Sequence, residues 1–180
     1  GIYANPVAAR ITDLEGSRFA VDAATNGFSL VARYLLGLEG VTADYIEVGG
    51  VKERLDSLLG GEVAATLLGP PFDAAALEAG ATLLATVADT LPAFPGQGLV
   101  VRAELAGSDE LAAYLHALNL ALGTAEQMTD ADGEALLERA GFGAAAVATW
   151  ASRPRTLRVD LAGLTLLATI RSELGRMPPG

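Results

Sequence analysis

The residues with chemistry to offer gather at three short joints in the first half of the chain. Thr25-Asn26-Gly27 lies inside FAVDAATNGFSLVARYLLGLEG, where an apolar run that reads as a strand stops at Asp22 and helical periodicity begins at Phe28. Gly49-Gly50 separates ADYIEVGG from VKERLDSLLGG, and Gly69-Pro70-Pro71 stands before Phe72 at the start of FDAAALEAG. At each joint a strand hands over to a helix, whose first turn offers N–H groups without intrahelical partners and a partial positive charge. The Thr25 hydroxyl, the Asn26 amide and close backbone approach at Gly27, Gly49, Gly50 and Gly69 would suit a polar or anionic small ligand. Phe28 and Phe72 would pack an apolar part of it, and Gln97, between Gly96 and Gly98, adds one more amide. The plainer reading is that Thr25 and Asn26 cap a helix, the glycines and prolines turn the chain, and Phe72 fills core.

Other chemistry is thin. GGVKER lacks the spacing of a P-loop, and GPPFD replaces donors that a pyrophosphate needs with prolines. His116 sits in LAAYLHALNLALG beside the stripe Leu111, Leu115, Leu118 and Leu122, which reads as a helix-surface residue rather than a general base. Ser29 has no nucleophile-elbow pattern around it, and Asp13 and Glu15 read as solvated turn residues. The expectation is a binding protein with no catalytic group, no metal and no cofactor.

The elements that must place these joints alternate in type. SRFAVD, ADYIEVGG, EVAATLLGPP and ATLLATVADT read as strands, each of the first three followed by a helix, and the tight Gly/Pro turns between them argue a parallel α/β layer. In the first helix Leu30, Val31, Tyr34, Leu35 and Leu38 fall at helical spacing, and in the second Val51, Leu55, Leu58 and Leu59 form the apolar face. After Thr90 the pattern changes: LPAFPGQG is a connector, LVVRAEL reads as one more strand, and from Ser108 onward the chain reads as helices, with Trp150 as a core anchor.

Composition narrows the class. The 180-residue chain can bury a sizeable core in one domain or two small ones. It has a net charge of −10, one lysine (Lys52) and scattered arginines, so a nucleic-acid partner, which needs a basic stripe, is not expected. There is no cysteine and one histidine, which excludes disulfides, thiolate chemistry and any site built on two imidazoles. No run approaches the roughly 20 apolar residues of a membrane-spanning helix.

The order of the joints, in DLEGSRFAVDAATNGFSLVARYLLGLEGV, DYIEVGGVKERLDSLLGGEVAATLLGPPFDAAALEAG and FPGQGLVVR, resembles the substrate-binding proteins of ABC transporters for nitrate, sulfonate and taurine and their thiamine-precursor-binding relatives. The resemblance covers about Thr12 to Arg102. It implies a type 2 periplasmic-binding-protein fold, with a parallel-type sheet flanked by helices and a helical C-terminal part. Residues 1–16 would be a turn and partial first-lobe segment, 17–98 the α/β ligand-binding lobe, and 99–180 the return strand and C-terminal helices of the other, incomplete lobe. It implies further that Thr25, Asn26, Gly27 and Gly69 to Pro71 face an interlobe cleft, that the partners are a small molecule and a membrane permease, and that the site of action is periplasmic or extracytoplasmic. Strands and helices that the family carries before GIYANP are not in this sequence, and AATNGF offers no arginine to clamp a nitrate or sulfonate. Two alternatives stand beside this reading, an enzyme of thiamine- or menaquinone-precursor biosynthesis on the same scaffold and a non-catalytic ligand-sensing domain.

Overall fold

The computed structural model describes residues 1–96 and 98–176. The protein is α/β, with one open five-stranded sheet and eight α-helices among the described residues. Two compact units divide the chain, one of Gly1–Pro95 together with Leu161–Gly180 and one of Gly96–Asp160.

In the first unit the strands are β1 (Ile2–Ala4), β2 (Arg18–Val21), β3 (Asp44–Glu47), β4 (Ala65–Leu67) and β5 (Thr82–Ala85), in the order β3-β2-β4-β1-β5. β2 runs parallel to both β3 and β4, as the alternation of strands and helices predicts. The sheet is nevertheless mixed, because β1 lies antiparallel between β4 and β5. β1 belongs to the stretch read from sequence as a turn segment, and its three residues are too few to carry a period of their own.

Period-two alternation sorts the strand side chains onto two faces. Ile2, Ala4, Phe19, Val21, Ala65 and Leu67 join one core cluster with Val31, Leu35 and Leu36 of α1 (Gly27–Leu38). Tyr3 and Ala20 join the other with Leu55 and Leu58 of α2 (Val51–Leu59) and Ala76 of α3 (Phe72–Glu78). Thr66 sits buried on that second face because its hydroxyl donates to the Ala20 carbonyl at 2.9 Å. A short helix, α4 (Val87–Thr90), follows β5. Ile170 of α8 (Leu161–Glu173) is buried in the first cluster and α8 packs on α1, so this last helix belongs to the sheet unit.

The second unit holds α5 (Asp109–Gln127), α6 (Asp130–Arg139) and α7 (Ala146–Ala151). Ser108 and Thr129 cap α5 and α6 by accepting from the Leu111 and Asp132 amides. The strand expected over LVVRAEL does not form: its first residues have no ladder partner among the described residues, and Ala103–Leu105 is a single 3-10 turn. Val100 of that run is exposed, so its apolar side chain gains no burial that would favour a strand. Trp150 is buried here as expected; its indole N–H donates to Asp130 Oδ1 at 2.8 Å, and the Arg153 guanidinium lies 3.7 Å from the ring centroid.

Candidate functional site

β1 is antiparallel to both β4 and β5, so β5 runs with β2, β3 and β4. The carboxyl ends of these four strands, and with them the N-termini of α1 to α4, therefore share one rim of the sheet. In open α/β sheets this is the side on which helix N-termini and loops are free to meet a ligand.

At the first joint the short polar residues are tied to one another. Asp22 Oδ1 accepts from the Ala23 amide at 3.0 Å, and the Asn26 amide nitrogen donates to Asp22 Oδ2. Asn26 Oδ1 accepts from the Ser29 amide at 2.8 Å, so Asn26 is the N-cap of α1 as well. Glu47 Oε1, from the end of β3, accepts from the Ala24 amide at 2.7 Å and links the first joint to the second. Thr25 and Gly27 are exposed, and the Phe28 ring is 50% exposed.

Beneath this joint lies a residue that the sequence reading did not single out. Arg54 of α2 is 2% exposed and heads the fully buried side chains by volume. Its guanidinium donates to the Gly49 carbonyl at 3.1 Å and to the Leu67 carbonyl at 3.4 Å, and lies 3.7 Å from Asp22 Oδ2. One side chain thus reaches the ends of β2, β3 and β4, the three neighbouring parallel strands. Burial pulls the Arg54 pKa down, while Asp22 and Glu53 pull it back up. Its carbon Cζ stands 6.0 Å from the Phe28 ring centroid. The signal was present in VKERLDSLLGG: Arg54 lies three positions after Val51 and four before Leu58, on the apolar stripe rather than opposite it. Leu59, read as part of that stripe, is instead half exposed.

The other expected residues fall into place unevenly. Gly49 has φ of +113°, a conformation that requires glycine, and Gly50 is the N-cap of α2. A Cβ on Gly50 would come 2.5 Å from Glu53 Oε2, so that carboxylate already crowds the helix start. Gly69 has room for a side chain and accepts from the Phe72 and Asp73 amides. Pro70 and Pro71 are exposed, with Pro71 as N-cap of α3, while half-buried Phe72 packs on the second core cluster. Gln97 lies outside the described residues.

Asp22, Glu47, Glu53 and Asp73 are spread along the rim, and the Lys52 charge is taken by Asp56 at 2.5 Å. His116 is exposed on α5. Among the described residues no group of three or more His, Asp or Glu side chains could hold a metal ion, and no helix is long and apolar enough to cross a membrane. Comparison with known proteins finds no matching family model, no matching curated protein and no matching solved structure.

Proposed function

We propose that the sheet unit captures a small polar molecule on its carboxyl-end rim, as the solute-binding component of an ABC transporter that passes the molecule to a membrane permease. The observation that carries this is the rim itself: three strand ends knitted together by one buried arginine, with Thr25, Gly27 and Phe28 left exposed above it. A preorganised edge of this kind lowers the ordering cost of binding. The α/β sheet with helices on both faces also accords with one lobe of a type 2 periplasmic-binding-protein fold.

The charge on the rim refines the ligand class. Asp22, Glu47, Glu53 and Asp73 stand along the rim, while the Arg54 guanidinium is buried and already bonded and Lys52 is paired with Asp56, so an amine, amidine or hydroxyl donor fits better than nitrate or a sulfonate. Phe28 supplies a platform for an apolar or cationic part of the ligand.

The test is a thermal-shift titration, since a molecule that binds only the folded state raises the melting temperature. Nitrate, taurine, bicarbonate and thiamine precursors are compared with benzamidine, benzamide and benzoate, three probes of one size and different charge. A saturable shift that is largest for donor-bearing probes is expected. Thr25→Val and Gly27→Val should remove it while leaving the ligand-free melting temperature near that of the parent, because Thr25 is exposed and a Cβ at Gly27 meets nothing within 4 Å. A folded chain that shifts with none of these probes sinks the reading.

A further inference from the structure

We infer that Arg54 is the positioning residue of this rim: it fixes the relative placement of three joints and touches no ligand itself. Its part in binding rests on the solute-binding reading above; its mechanical part rests on geometry alone.

A guanidinium is a planar fork with fixed donor directions, so acceptors that share one are held at set angles to each other. Arg54 bonds the Gly49 and Leu67 carbonyls in this way and holds Asp22 by charge at 3.7 Å, and the three segments are far apart in sequence and adjacent on the rim. Asp22 passes the constraint on, because it also takes the Asn26 amide, and Asn26 caps α1 through the Ser29 N–H. The start of α1, where Phe28 is exposed and exposed Thr25 stands just before the cap, is thereby registered against α2 and the end of β4.

The choice of residue points the same way. Leu55 and Leu58, its neighbours on the same helix, are core residues, and a leucine or methionine at position 54 would join them without a desolvation cost. Buried ion pairs seldom add stability over well-packed apolar side chains. A buried charge whose partners are all joint atoms is suited to specifying where those joints sit.

Two variants test this. Arg54→Lys keeps the charge and loses the fork; Arg54→Met keeps the bulk and loses both. Hydrogen exchange of the ligand-free protein is followed over residues 22–28, 47–51 and 67–72, with α5 and α6 as an internal reference. In both variants the three joints should exchange faster together, by about tenfold or more, with the reference helices unchanged. In Arg54→Lys the benzamidine concentration for half-saturation should rise by about tenfold while the ligand-free melting temperature stays close to the parent value. Acceleration confined to α2, or parent-like exchange at all three joints in Arg54→Lys, overturns the inference. Should Arg54→Met fail to fold, Asp22→Asn replaces it: residues 22–28 should loosen while 67–72 keep parent exchange, and loosening of both overturns the shared-fork geometry. If the parent shifts with no probe, the binding reading falls, and the exchange pattern still decides whether Arg54 ties the joints.

Discussion

Gly133 offers the sharpest test of the packing in the helical unit, and the chain carries its own reporter. Gly133 is the buried residue of α6, and a Cβ added there falls inside van der Waals contact with Cε2, Cζ2 and Cδ2 of Trp150. The ring would have to retreat by about 1 Å or more to restore ordinary carbon–carbon separations of about 3.5–4.0 Å. A shift of that size breaks the 2.8 Å bond from the indole to Asp130 and disturbs the stacked Arg153. Loss of a hydrogen bond to a charged acceptor costs about 1.5–3 kcal/mol, and strain from an overpacked site about 1–3 kcal/mol. Replacing a helical glycine by alanine returns about 0.5–1 kcal/mol. Partial relaxation keeps the first two costs from adding in full, so Gly133→Ala should destabilise the unit by about 2 kcal/mol, roughly 8–16 °C in melting temperature for a unit of this size. Trp150 is the single tryptophan, so its fluorescence reports this unit alone, and the variant should melt earlier with red-shifted emission. In a Trp150→Leu background, followed by circular dichroism, the same substitution should cost much less. A Gly133→Ala variant as stable as the parent would refute the assigned contact between α6 and α7.

Other expectations follow from single residues. Gly49→Ala, at φ of +113°, should destabilise the sheet unit by about 1 kcal/mol or more, whereas Gly69→Ala, with ordinary φ and open space, should leave its chemical denaturation midpoint unchanged. Asn26→Ala removes the α1 cap and the Asp22 contact and should cost about 1–2 kcal/mol by urea titration, with Asn26→Asp recovering the cap alone. Burial raises the Tyr45 phenol pKa against the opposing pull of Arg33. The neutral form is thus favoured in the fold, so its contribution is complete below the unfolded value of about 10 and is lost as pH rises through the folded value. Tyr45→Phe should therefore show a smaller fall in melting temperature above about pH 10 than the parent, reduced rather than abolished because Tyr3 is also raised.

The strand–helix alternation from Ser17 to Thr90 was legible because each element carries its own period and its own stop: Gly40 with φ of +71° after α1, Gly61 after α2 and Gly80 after α3. The Asn26 cap was legible for the same local reason. What sequence alone could not place was whatever depends on a distant partner. Ile2–Ala4 becomes a strand because β4 and β5 flank it, and LVVRAEL, the better strand by composition, stays out of a sheet because no strand pairs with it among the described residues. Of the site, the joints could be read and Arg54 could not be weighed, since a lone arginine on an apolar stripe reveals its role only when Asp22, Gly49 and Leu67 are brought around it.

The position of β1 makes the sheet asymmetric in how it is held together. The block β3-β2-β4 is joined by parallel pairings between neighbouring segments, whereas β5 meets the sheet only through β1 among the described residues. Ile2 pairs with Leu67 on one side and Ala85 on the other, so three residues at one end of the sequence act as a clasp between strands that are synthesised much later. Closing so long a loop adds little to its free-energy cost, since each doubling of length costs only about 0.6 kcal/mol, but pairings so distant in sequence slow folding. The fourth joint of the rim, after β5, is thus held to the sheet through three residues of a single strand among the described residues.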